Sequence, residues 1–361
     1  MSTEGTSIHT RRLTHLETIN QILARELDRE QTHIDNVIKL LDEGNTIPFI
    51  ARYRKELHGA MDDTALRTLA ERLEYLRSLA ERRETVKNSI AEQGKMTDEL
   101  SAAIDGAQTL AALEDIYRPY KPKRRTRATV AREKGLGPLA EEIFSQRAGL
   151  PAPEVLAADY VDAEKGVETV EDALAGASDI IAEIISDDAD IRSALRRFIE
   201  SNAFLVSRAA TEEDSVYRLY YDFRQRVDKV QGHQVLAVNR GEKEGFLKAG
   251  IELDRELALQ RVRRAVIVPG SAVMAFVRAA ADDAYDRLIW PSMEREERSA
   301  LTDAACEGAI KMFALNLKPL LMQPPVKGKV TMGLDPGYRN GCKVAVIDGT
   351  GKVLDTAVVY P

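Results

Sequence analysis

Along most of this chain the apolar residues return every three or four positions, and only near the end does the rhythm change to alternation. Leu13–Asp28 carries Leu13, Leu16, Ile19, Ile22, Leu23 and Leu27 at helical spacing. Ile34, Val37, Ile38 and Leu41 repeat the pattern over His33–Asp42, with Gly44 as the stop. A third short helix follows Thr46, which can cap it, with Pro48 in its first turn. Asp62–Gln93 is the longest periodic stretch. Leu66, Leu69, Leu73, Leu76, Val86 and Ile90 recur among Glu and Arg, which predicts a helix of about eight turns whose apolar stripe needs a partner. Gly94 ends it. Thr97 and Thr109 then cap return helices over Asp98–Ile104 and Leu110–Tyr117, giving an antiparallel helical arm.

Further on, Pro151 and Pro153 mark a break. Acidic helices are expected over Glu168–Leu174 and Ile180–Ile185, and Asp190 is expected to cap Ile191–Ile199, which bears Arg192, Arg196 and Arg197. Phe246–Leu253 reads as a short strand, with Val266–Val268 as its candidate partner. Helices over Ala272–Leu288 and Leu301–Leu317 follow, the first broken at Trp290-Pro291 and the second stopped by Pro319. After the Pro324-Pro325 linker comes strict alternation. Val330, Met332 and Leu334 share one face of a first strand, Val344–Ile347 is a second and Val353–Val359 a third, with Gly-rich turns between. The fold class is therefore mainly α, closing on a small β-meander. The domain reading is 1–60 as a helix-turn-helix-like subdomain, 61–149 as the arm and a basic loop, 150–323 as a central helical region, and 324–361 as the start of a β domain.

Composition sharpens this. The chain has 361 residues, 30% of them charged and only 6% aromatic, with a formal net charge of −7. It is no polycation, so any nucleic-acid surface must be local. The candidate for such a surface is Tyr117–Lys134. From Arg118 to Lys134 there are eight Lys or Arg against the single acid Glu133, a local net charge of +7. Pro119 and Pro122 are expected to hold the first half extended, and Tyr117 and Tyr120 are placed to stack on bases. Arg118, Lys121, Lys123, Arg124, Arg125 and Arg127 are the candidate phosphate contacts, with Arg52 and Arg54 of the third short helix as second choices. The alternative is a solvated loop whose arginines pair with the acidic helices around it. Val216–Val227 sets Tyr217, Tyr220, Tyr221 and Phe223 among three arginines; this reads as a core patch with an arginine rim, a base-stacking platform being the alternative.

The five histidines show no ligand spacing, and no cofactor fingerprint is present, so neither cofactor nor small-molecule substrate is expected. Cys306 and Cys342 stand far apart, which fits a reducing compartment. No run is long enough for a membrane span and Met1–Thr10 lacks a signal-peptide core, so a cytoplasmic location without membrane contact is expected.

Several stretches carry a family likeness. Gly333–Arg339 with Gly341–Val346 (GLDPGYR, GCKVAV) resembles the opening of the YqgF/RuvC-like branch of the RNase H superfamily, as it occurs in the Tex family of bacterial RNA-binding transcriptional accessory proteins. Ile47–Glu56 (IPFIARYRKE), Leu113–Arg125 (LEDIYRPYKPKRR), Val235–Gly245 (VLAVNRGEKEG), Ala284–Ser292 (AYDRLIWPS) and Leu315–Pro324 (LNLKPLLMQP) are similar to runs of the same family, in family order. The resemblance implies a transcription-linked role with RNA or DNA as ligand and the transcription or translation machinery as candidate partner. It also implies that Asp335 stands where an RNase H-like fold keeps the first of its metal-binding carboxylates. Because the chain ends at Pro361, after the third strand, the later carboxylates have no counterpart here. Nor do the family's helix-hairpin-helix elements and its OB-fold RNA-binding domain, and the chain is expected to be the N-terminal half of a longer protein with an uncovered, sticky meander. The resulting expectation is a non-catalytic nucleic-acid-binding module, with Asp335 as a turn residue only. The rivals are a metal-dependent nuclease centred on Asp335, and a helical scaffold that binds proteins through Glu168–Asp190.

Overall fold

The computed structural model describes residues 18–121, 125–324, 327–337 and 341–360. These fall into two compact units, one from Met1–Phe198 with Asp254–Ser292 and one from Ile199–Leu253 with Met293–Pro361.

The first unit is helical and is organised by a single long helix. Helices α1 (Ile19–Leu27), α2 (Gln31–Asp42) and α3 (Ile47–Tyr53) precede α4 (Asp63–Glu92), which is followed by α5 (Asp98–Gly106) and α6 (Leu110–Tyr117). The expected capping chemistry is in place for the later ones. Asp62, Thr97 and Thr109 each accept a hydrogen bond from the backbone N–H three residues on. Gly94 takes a positive φ of 66° just past α4, a conformation that a Cβ would strain.

The stripe along α4 serves two cores in succession. Leu66, Leu69, Leu73 and Leu76 are buried with Leu23, Ile34, Val37 and Ile50 of α1–α3. Leu79, Val86 and Ile90 are buried with Ile104, Leu113 and Tyr117 of α5 and α6. Each such aliphatic side chain contributes about 1.5–3 kcal/mol on burial. Two ion pairs fasten the first core from outside. Arg72 holds Glu26 of α1 through two bonds of 2.6 and 2.8 Å, and Arg77 holds Asp42 of α2 through two of 2.7 and 2.8 Å.

After α6 come one 3-10 turn, Arg118–Tyr120, then α7 (Arg127–Glu133), α8 (Gly137–Ser145), α9 (Pro153–Ala158), α10 (Val170–Asp187) and α11 (Ala189–Asn202). Two expectations are corrected here. The acidic region forms one helix, α10, because Ala173, Ala177, Ile180, Ile181 and Ile185 make a continuous buried stripe through it. The cap of α11 is Asp188, whose Oδ1 accepts from Ile191 N at 2.8 Å, and Asp190 lies inside the helix.

In the second unit β1 (Phe204–Ala209), β2 (Asp222–Arg226) and β3 (Leu247–Glu252) form an antiparallel sheet in the order β2-β1-β3, with α12 (Gly232–Lys243) between β2 and β3 in sequence. Val266–Val268 is no strand. Val266 ends α13 (Arg255–Val266), and the partner of β3 is β1. The apolar alternation within β1 is too short to distinguish a strand from a loop without its two neighbours.

Helix α14 (Met274–Asp283) passes into a π-helical segment, Ala284–Ile289, and then into α15 (Trp290–Leu321). The expected break at Trp290-Pro291 is corrected: the chain stays helical through both residues, with the π-helical turn immediately before them. Pro319 is accommodated inside the last turn of α15. The terminal meander forms as expected, with β4 (Thr331–Asp335), β5 (Cys342–Ile347) and β6 (Val353–Val359) antiparallel in that order. Val330, Met332, Leu334 and Val353 are exposed on it. The class is mainly α with two small antiparallel sheets. Among the described residues no helix is long and apolar enough to cross a membrane.

Candidate nucleic-acid interface

The basic segment is held by a buried charge cluster that composition does not reveal. Asp115 lies on α6 between Leu113 and Tyr117, with 3% of its surface exposed. Its Oδ1 accepts from Arg192 Nε at 3.0 Å and its Oδ2 from an Arg196 guanidinium nitrogen at 2.6 Å. Arg192 is wholly buried and also donates to Ser292 Oγ at 3.0 Å. Removing one member of such a cluster strands charge in a low-dielectric interior. The last turn of α6 is thus locked just before the 3-10 turn that opens the basic segment. Two of the stretches quoted above, Leu113–Arg125 and Ala284–Ser292, meet through Arg192.

The expectation of an extended first half is corrected at Arg118–Tyr120, whereas Lys121 is extended and Pro122 lies outside the described residues. Pro119 sits in the 3-10 turn, and Arg127 already lies in α7, because Thr126 caps that helix by accepting from Thr129 N at 3.0 Å. Tyr117 is core. Its hydroxyl shares a 2.9 Å hydrogen bond with Ser89, and Arg82 lies over its ring, so it is not available to stack on a base. Tyr120 is half-buried and its carbonyl accepts from Gln93 Nε2 at 2.8 Å.

Of the candidate contacts, Arg118 is half-buried in the 3-10 turn. Lys121 is exposed, 3.7 Å from Glu114, and Arg125 is exposed, 2.8 Å from Glu133. Arg127 is exposed on α7. Lys123 and Arg124 lie outside the described residues. Pairs as exposed as Arg125–Glu133 are worth about 0–1 kcal/mol, so a phosphate can displace the carboxylate at little cost. Farther along, Arg132 is held by Glu183 of α10 at 2.5 Å, and Lys134 donates to Gly166 O at 2.6 Å. A groove of about 860 Å³ beside the segment is lined by Lys95, Lys121 and Arg132, and also by Glu92, Glu183, Asp187 and Asp188. Its acids repel a polyanion. Among the described residues of the segment, Lys121, Arg125 and Arg127 are the exposed candidate cations.

Arg52 lies on α3 and Arg54 is the residue that ends it. Arg52 is exposed, whereas Arg54 is half-buried, with its guanidinium 5.2 Å from the centre of the Phe49 ring and bonded to Tyr53 O at 2.9 Å.

Asp335 ends β4 and pairs across the sheet with Lys343 of β5, which in turn faces Val358 of β6. Asp355 pairs with Val346, opposite Met332. Residues in register share a face and successive residues alternate, so Asp335 and Asp355 project from opposite faces of the meander. Asp348 is a turn residue. Its carboxylate accepts from Thr350 N, Thr350 Oγ1 and Lys352 N at 2.6–3.0 Å, and these bonds hold its pKa below the ordinary carboxylate value. Among the described residues no three His, Cys, Asp or Glu gather into a metal-binding group. As a turn residue Asp335 is expected to cap backbone N–H groups in Gly337–Arg339; of these, Tyr338 and Arg339 lie outside the described residues.

Comparison with known proteins gives the family. The Tex-like protein N-terminal domain matches residues 17–91, the Tex central region 150–313, and the Tex protein YqgF-like domain 329–361. The chain is 45% identical over 351 residues to YdcI of Bacillus subtilis, covering 95% of this chain and 48% of that protein. It is 41% identical over 351 residues to the transcriptional accessory protein Tex of Neisseria gonorrhoeae, covering 95% and 46%. It is also 33% identical over 359 residues to S1 RNA-binding domain-containing protein 1 of Pongo abelii, covering 95% and 36%. A mainly α-helical chain closing on the start of a YqgF-like sheet thereby matches three domains of one family in order. The chain belongs to the Tex family. It spans about half, or less, of the length of these relatives.

Proposed function

We propose that this chain is a non-catalytic nucleic-acid-binding module acting in transcription, and that it holds RNA by its phosphates along Arg118–Arg127. The observation that carries the reading is the +7 window, whose entry is pinned by the buried Asp115–Arg192–Arg196 cluster. Phosphate contacts of this kind position a strand without reading its bases. The names of two relatives, a transcriptional accessory protein and an S1 RNA-binding domain-containing protein, support the choice of transcription and of RNA. The non-catalytic part of the reading draws support from the opposite orientations of Asp335 and Asp355.

The test is filter binding of labelled single-stranded RNA over a range of salt. Binding weakens steeply as salt rises, and an Arg125→Glu, Arg127→Glu variant binds more weakly with a shallower salt slope, by about 0.7 per lost phosphate contact. Equal affinity and slope for the variant would overturn the assignment of the segment. Cleavage of an RNA/DNA hybrid in Mg²⁺ or Mn²⁺, abolished by Asp335→Ala, would overturn the non-catalytic reading.

A further inference from the structure

We propose that the open face of the β2-β1-β3 sheet is a second binding surface for single-stranded RNA. Arg208, Arg224 and Lys248 would take its phosphates, and the Phe204–Arg224 pair would take a base. The register puts three rows on this face: Arg226–Phe204–Glu252, Arg224–Val206–Gly250 and Asp222–Arg208–Lys248. The opposite face is core, with Leu205, Ser207, Leu247 and Ile251 buried. The exposed side thus carries four cations against the two acids Asp222 and Glu252, and Glu294 stands at its rim, bonded to Ile251 N at 3.1 Å.

The geometry of these groups favours a strand with planar bases. The Arg224 guanidinium lies 3.4 Å from the centre of the Phe204 ring, a flat cationic stack open to solvent on a sheet. Gly250 has no side chain in the middle of the face, where the Glu294 carboxylate comes within 3.1 Å of the place its Cβ would take, and Arg208 reaches past it to Glu252 at 3.2 Å. Arg224 approaches the same carboxylate at 3.5 Å, so two five-donor guanidinium groups share one acid and keep donors to spare. Arg226 is bound to Asp228 and to Ser201 O, and is left out of the grip for that reason. Aromatic stacking combined with cations that follow the backbone is the arrangement that single-stranded nucleic acids use. An acidic peptide would satisfy the cations but leave the stack without a partner. The choice of RNA over DNA rests on the function proposed above; the choice of a single strand rests on this face.

The experiment uses the full chain and a fluorescent oligouridine of about 12 nucleotides, with oligothymidine of equal length and a polyglutamate peptide as separate arms. Arg208→Glu with Lys248→Glu changes exposed side chains only, and Phe204→Leu keeps the volume apolar while removing the ring. Thermal unfolding verifies that each variant is folded. The charge pair is expected to weaken oligouridine binding about fivefold or more at low salt and to lower the salt slope by about 1.4. Ultraviolet cross-linking is expected to join uridine to the peptide containing Phe204, and Phe204→Leu to abolish that adduct. Unchanged affinity and slope, or cross-links confined to sequences outside 204–252, overturns the proposal. So does polyglutamate binding that needs Arg208 and Lys248 when oligouridine binding does not, and tighter binding of oligothymidine overturns the choice of RNA. If the Arg125, Arg127 variant loses affinity and the sheet variant does not, this proposal fails and the proposed function stands. If the sheet variant alone loses affinity, the sheet surface stands and the assignment of the Arg118–Arg127 segment fails.

Discussion

Asp115 and Arg192 are 77 positions apart in the chain, yet a 3.0 Å hydrogen bond joins them in the interior of the helical unit. The carboxylate is shared with Arg196 one helical turn on, so a single acid balances two guanidinium groups. Asp115→Ala would leave both cations without their common counter-ion. The expected loss is about 3–5 kcal/mol of stability, read from chemical denaturation, with a smaller loss for Asp115→Asn, which keeps an acceptor. RNA affinity is expected to fall with it under conditions where the variant remains folded, because the turn that presents Arg118 and Lys121 follows α6 directly. A variant with wild-type stability would refute the role given to this cluster.

The double core along α4 makes a separate prediction. Leu69 and Ile90 are both fully buried, in different clusters, about 30 Å apart along one helix. Leu69→Ala and Ile90→Ala are each expected to cost about 2–5 kcal/mol, and the double variant to show their sum within about 0.5 kcal/mol. Calorimetry in which one substitution shifts one transition and leaves a second in place would show that the two halves melt independently.

Acid should loosen the first core. Glu26 and Asp42 are held below their ordinary values of 4.5 and 3.8, chiefly by the hydrogen bonds from Arg72 and Arg77. A lowered carboxylate pKa adds stability above the ordinary value, and that stability is lost as pH falls through the lowered one. The unfolding temperature is therefore expected to drop as pH falls below about 5 and to go on dropping below the ordinary 3.8 of Asp42. The exposure of both pairs keeps the contribution modest. Arg72→Met with Arg77→Met should flatten the profile; a profile unchanged by that substitution would contradict the argument.

His58 is the reverse case, a polar group whose burial is uncompensated. It is 1% exposed, and neither ring nitrogen has a hydrogen-bond partner among the described residues. An unsatisfied buried polar group costs about 1–3 kcal/mol, so His58→Leu, of similar volume, is expected to raise the unfolding free energy by about 1 kcal/mol. A loss of stability on that change would point to a contact the imidazole makes and leucine does not.

Much of this could be read from the chain alone. Helical periodicity together with Thr97, Thr109 and Gly94 determined α4, α5 and α6 almost to the residue, because caps and short-range hydrogen bonds are settled within a few positions of chain. Alternation likewise determined the meander and hence the side of the sheet on which Asp335 lies. Other outcomes depended on partners distant in sequence. Glu168–Asp187 looks interrupted by its acids and becomes one helix because its small and branched residues find a common core. Tyr117 looks like a stacking residue and becomes core because α4 supplies Ser89 and Arg82. Asp115, Arg192 and Arg196 look like ordinary surface charges. Only the folded chain brings one α6 carboxylate against an i, i+4 arginine pair on α11, since a buried charge is defined by groups that sequence proximity does not supply.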